Sequence, residues 1–69
     1  MGLTKREREV LRHISLPTET IAERLLISAR TVTAYLVNLR TKLKAKNSRM
    51  TLVNALKNKL VTVDELITE

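Results

Sequence analysis

SARTVTAYLVNLRTKLK, Ser28 to Lys44, decides the fold, because it reads as one helix with an unmixed apolar face and a polar face whose charge is entirely positive. Stepping about 100° per residue gathers Val32, Leu36, Leu39 and Leu43 into a narrow arc and sets Arg30, Ala34, Val37 and Thr41 on the opposite side. The first group is the candidate core stripe; the second faces something outside the core. Ser28 is the expected N-cap, its hydroxyl accepting from a free backbone N–H two or three residues on.

Working back from Ser28, Pro17 to Leu25 predicts a short helix with Ile21, Ala22 and Leu25 on one side, followed by a tight Leu26-Ile27-Ser28 connection. Two helices joined by such a turn, the second capped and basic, form a helix-turn-helix, which lays its second helix in the major groove of DNA. Leu3 to about Ser15 predicts the first helix of the chain. Its start carries the T-x-x-E capping box, Thr4 with Glu7, and Val10, Leu11 and Ile14 supply its apolar face. His13 falls off that stripe and is expected to be exposed and passive, with a backbone-phosphate contact as the minor alternative. Glu7 and Glu9 point in different directions on a helix, which argues against a paired-carboxylate catalytic site. Leu16-Pro17 breaks the helix, since the residue before proline is pushed out of the α region.

Beyond Lys44, the polar AKNSR segment predicts a turn, and Asn47 or Ser48 can cap a fourth helix. That helix offers Met50, Leu52, Val53, Ala55, Leu56 and Leu60, more apolar positions than one stripe needs. Leu52, Leu56 and Leu60 suffice for packing, so Met50 and Val53 become candidates for a partner-facing surface, with a broad core face as the equal alternative. The tail VTVDELITE, residues 61–69, fits either a short helix or a frayed end, and its three acids are available to answer the basic charge elsewhere.

A length of 69 residues predicts one domain, residues 1–69. With no cysteine, one histidine and a single glycine, Gly2, the chain offers no disulfide framework, metal cluster or glycine-rich phosphate loop. No nucleophile and base stand together either. The expectation is a non-enzyme without cofactor, metal or catalytic residues. No apolar run near membrane length and no leader pattern occurs, so a cytoplasmic protein with no membrane partner is expected. Net charge is +6, and its distribution says more than its size: residues 24–63 hold nine basic and no acidic side chains. A one-signed block around an amphipathic helix is the footprint of a polyanion binder.

LTKREREVL at Leu3 to Leu11, ETIAERLLIS at Glu19 to Ser28, TVTAYL at Thr31 to Leu36 and KLKAKNSR at Lys42 to Arg49 together resemble the LuxR-type (GerE-like, NarL-like) helix-turn-helix domain. The resemblance implies an all-α fold of four helices, the third reading the major groove and the fourth often forming a two-fold dimer on inverted half-sites. By position it places Thr33, Ala34, Val37 and Asn38 against bases. Ser28, Arg30, Thr31, Arg40, Lys42, Lys46 and Arg49 would then lie near the DNA backbone, with Met50, Val53 and Lys57 as dimerisation candidates.

Four departures from the family pattern stand out. The corner between Leu11 and Ile21 is about two residues shorter than usual and lacks a glycine. Leu26 stands where helix-turn-helix motifs commonly place glycine, a costly choice if φ is positive there. Lys44 replaces the usual glycine after the recognition helix and is expected to lengthen that helix by a turn. Thr33 and Val37 occupy positions where lysine is frequent in the family, which favours thymine-methyl contacts over guanine contacts and an A·T-leaning site.

The reading that follows is a sequence-specific DNA-binding transcriptional regulator, with double-stranded DNA and a second copy of itself as partners, and RNA polymerase or a larger regulator as a further one. Two alternatives share the fold: a promoter-recognition module similar to sigma-factor region 4, and a small protein-protein module acting on a larger regulator. The helix after the recognition helix favours the LuxR-type reading over the sigma-like one.

Overall fold

A computed structural model describes residues 2–67, and among them it contains helices and no strands: α1 (Lys5–Arg12), α2 (Thr18–Leu25), α3 (Ala29–Lys42), α4 (Ser48–Lys57) and a one-turn 3₁₀ helix (Val63–Glu65). The Thr4 capping box forms as expected. Glu7 N–H donates to Thr4 Oγ1 at 3.1 Å, and Thr4 N–H donates to Glu7 Oε1 at 2.9 Å. At eight residues α1 is too short to persist alone, so its stability comes from burying Val10 and Leu11.

The expectation that α1 reaches Ser15 needs correction, because the helix ends at Arg12. Three i→i+3 bonds follow, His13 N–H to Val10 O, Ile14 N–H to Leu11 O and Leu16 N–H to His13 O. This tightening turns Ile14 and Leu16 inward and makes the corner into α2 without a glycine. His13 is corrected too: it is buried, with Nδ1 at 2.7 Å from Glu9 O. A carbonyl only accepts, so Nδ1 carries the hydrogen. The helical wheel misplaced His13 because the chain leaves the helix there.

α2 begins one residue later than predicted, with Pro17 as its N-cap, and buries Ile21 and Ala22. It ends at Leu26, in the left-handed region at φ 57°, ψ 43°. Leu26 N–H reaches Glu23 O and Ile27 N–H reaches Ala22 O, which is the Schellman closure. Ser28 then caps α3, accepting from Thr31 N–H at 3.1 Å. α3 stops at Lys42 and is not lengthened by Lys44, contrary to the expectation. Lys44 itself takes φ 53°, donating to Thr41 O while Ala45 N–H donates to Arg40 O. A lysine performs the glycine's turn here, at the cost of left-handed strain. Lys59 repeats the device after α4, again with φ 57°.

Asn47, rather than Ser48, caps α4, its Oδ1 accepting from Met50 N–H at 2.8 Å. The deepest positions of α4 are Thr51 and Ala55, with Leu52 and Leu56 half-buried beside them; Leu60, expected on this helix, lies beyond its end at Lys57 and packs on the core from the turn that follows. Small side chains at the contact let α4 sit close, and Thr51 satisfies its buried hydroxyl by donating to Asn47 O. Asn54 Nδ2 donates to Leu43 O at 2.8 Å, tying α4 to the end of α3.

Of the tail, residues 61–67 are described and 68–69 lie outside the described residues. The described part folds back as a strap. Val61 is buried, Leu66 packs on one core cluster and Ile67 on the other. Ile67 N–H donates to Arg12 O at 2.8 Å, Arg12 Nε to Glu65 O at 3.3 Å, and Arg8 Nη1 to Leu60 O at 3.4 Å. Glu65 caps its own turn through Thr62 N–H, and among the described residues neither it nor Asp64 pairs with a cation.

α3 packs against α1, α2 and α4 in turn. Its Val32 belongs to the cluster of Leu16, Ile21 and Ala22, and its Leu39 and Leu43 to the cluster of Val10, Leu11, Ile14, Ala55 and Val61. Leu36, from α3, and Leu25, from α2, touch both clusters, joining them. The helix chosen from sequence as the organising one is therefore the structural axis, and its other side is left open.

Candidate nucleic-acid interface

The open side of α3 is formed by Arg30, Thr33, Ala34, Val37, Asn38 and Thr41, all exposed. Thr33, Ala34, Val37 and Asn38 sit at i, i+1, i+4 and i+5, so they form one contiguous diamond on the helix surface. Two threonine hydroxyls on this side are turned inward. Thr33 Oγ1 donates to Ala29 O at 3.1 Å and Thr41 Oγ1 to Val37 O at 3.0 Å. The middle of the face therefore presents the methyls of Thr33, Ala34 and Val37, with Val37 44% exposed.

Positive charge surrounds this middle. Arg30 lies toward the start of α3, and Arg40, Lys44, Lys46 and Arg49 run from its last turn into the start of α4; none of these pairs with a carboxylate among the described residues. Lys44 is a member of this group that sequence reading did not select. Its left-handed backbone keeps it at the helix end and exposed. Ser28 and Thr31, both read as backbone contacts, are linked to each other, their hydroxyls 2.8 Å apart.

Lys42 stands apart from the other cations, because its Nζ donates to Glu7 Oε1 at 2.7 Å. The Lys42 side chain is 38% exposed while that of Glu7 is 5% exposed. The hydrogen bond from Lys42, then that from Thr4 N–H, holds the Glu7 carboxyl below the usual glutamate range, against the opposing effect of burial. Lys42 thus clamps the end of α3 to the start of α1. No spacing in the sequence announces a pair so distant along the chain.

A basic, capped second helix leaning on a shorter first one, with its outward face free, is the geometry of a groove-reading helix. Comparison with protein families identifies the same thing independently: the profile described as GerE, bacterial regulatory proteins of the luxR family, matches residues 1–56. The chain belongs to the LuxR family. It is accordingly a DNA-binding helix-turn-helix domain of transcription regulation, with the all-α architecture read from its sequence. Neither the curated proteins nor the solved structures yield a match.

In this LuxR-family domain α4 carries the residues read as dimerisation candidates. Met50 is 40% exposed, Lys57 is exposed and Val53 half-buried, and their i, i+3, i+7 spacing puts them on one strip. Among the described residues, no three carboxylate, histidine or cysteine side chains gather as a metal site, and no helix is long and apolar enough to cross a membrane.

Proposed function

We propose that this domain regulates transcription by inserting α3 into the major groove of duplex DNA, as a homodimer on inverted half-sites. Thr33, Ala34, Val37 and Asn38 meet base edges, and Ser28, Arg30, Thr31, Arg40, Lys42, Lys46 and Arg49, joined by Lys44, lie along phosphates. The observation that carries the reading is the division of the open face into an uncharged middle and, at its ends, cations that pair with no carboxylate among the described residues. Phosphate contacts give affinity and register, and base contacts give sequence preference. Lys42 contributes chiefly by orientation, since Glu7 already holds its ammonium.

Pairing through Met50, Val53 and Lys57 would present two copies of α3 one helical turn of DNA apart, about 34 Å. RNA polymerase or a larger regulator is a further partner of the DNA-bound dimer. Selection of bound sequences from random duplex DNA tests both parts of the reading. The expected result is an enriched inverted repeat whose half-site centres lie about 10 base pairs apart. Recovery of unpaired half-sites would remove the dimer, and absence of any enrichment would remove sequence reading.

A further inference from the structure

Between Arg30 and Asn38 the outward face of α3 carries no charge, and the hydroxyl hydrogen of Thr33 is committed to Ala29 O. What this patch offers to a base pair is the methyls of Thr33, Ala34 and Val37 and, of polar atoms, the Thr33 oxygen as an acceptor. At the floor of the major groove the matching apolar group is the C5-methyl of a pyrimidine. Donors and acceptors on the neighbouring base edge have no polar counterpart opposite Ala34 and Val37.

We infer that this patch reads the C5-methyl group itself, whichever pyrimidine bears it, so that duplexes containing 5-methylcytosine are bound as thymine-containing ones are. The inference rests on the groove-reading function proposed above. It differs from a preference for A·T pairs, because thymine and 5-methylcytosine share the methyl but present opposite hydrogen-bonding groups at C4. A helix reading that group by polar contacts would separate the two bases. One reading only the methyl would not.

The test uses the duplex enriched from random DNA, synthesised in four versions at each pyrimidine facing α3: thymine, deoxyuridine, cytosine and 5-methylcytosine, each with its Watson–Crick partner. Affinity for the full chain is measured by fluorescence anisotropy at fixed salt. At one or more positions per half-site, thymine and 5-methylcytosine should bind within about two-fold of each other, and deoxyuridine and cytosine three- to five-fold more weakly, roughly the worth of one buried methyl. Val37→Ala should bring the four versions together without altering the salt dependence. Thr33→Ser, which deletes a methyl and keeps the hydroxyl, should narrow the gap at a neighbouring position.

Equal binding of thymine and deoxyuridine at every position, with salt-dependent binding intact, overturns methyl reading and leaves DNA recognition standing. Methyl reading also fails if thymine and deoxyuridine bind alike while both cytosines bind differently, since a polar readout would then be at work. Loss of salt-dependent binding to every duplex overturns the groove-reading function as well.

Discussion

Burying Glu7 as a carboxylate is tolerable because Lys42 Nζ and Thr4 N–H both donate to the same oxygen, Oε1. Since the pair and the cap lower the folded-state pKa beneath the ordinary 4.5, the stabilisation is complete above that value. It is lost as pH falls through the lower folded value. Thermal melts of the wild type should therefore hold steady toward pH 5 and decline below about pH 4.5. Glu7→Gln should melt lower at pH 7 by the equivalent of roughly 1–3 kcal/mol and show a weaker acid decline. An unchanged melt at pH 7 would deny the clamp. A second residue-scale prediction concerns the left-handed positions Leu26, Lys44 and Lys59. Glycine relieves strain of about 1–2 kcal/mol there and costs part of it back in the unfolded chain. Lys59→Gly, outside the proposed interface, should raise the denaturant midpoint by about 0.5–1 kcal/mol equivalent without changing DNA affinity.

At the scale of the element, α3 was legible almost entirely from sequence, for a physical reason. Val32, Leu39 and Leu43 are buried and Arg30, Ala34, Val37 and Thr41 exposed because a regular helix with one buried face obeys its own periodicity. Legibility failed where that periodicity stopped. His13 lies just past a helix end, and Lys44 takes the left-handed turn that closes α3 although its side chain disfavours it. α4 was legible in part: Leu52 and Leu56 pack on the core as their spacing predicts, while the deepest positions, Thr51 and Ala55, are small side chains that hydrophobicity alone does not single out. The cations around α3 make a separable prediction. Arg30→Gln or Lys46→Gln should weaken binding to all duplexes alike and reduce the salt slope by about 1 for each phosphate that is no longer neutralised. Binding isotherms across salt concentrations check it, and a change in sequence preference without a change in slope would reassign these residues to bases.

Taken as a whole molecule, the core draws on residues beyond the segment matched by the family profile. The family match ends at residue 56, whereas Val61, Leu66 and Ile67 pack on both core clusters. A core this small has few kilocalories to spare. Truncation after Lys59 should abolish cooperative unfolding by circular dichroism, and Ile67→Ala should lower stability by roughly 1–2 kcal/mol. Full stability of the truncated chain would show the strap to be dispensable. At the same scale, Met50→Glu should shift sedimentation of the protein toward the monomer if α4 pairs as proposed, while leaving helicity intact.

The bond from Ile67 N–H to Arg12 O also bears on how the protein is made. During synthesis α1 and the helix-turn-helix pair emerge before Ile67, so the carbonyl closing α1 gains this partner only after both are already outside the ribosome. Closure of α1 therefore lags behind its emergence. Chains stalled before Val61 should leave α1 open to proteolysis.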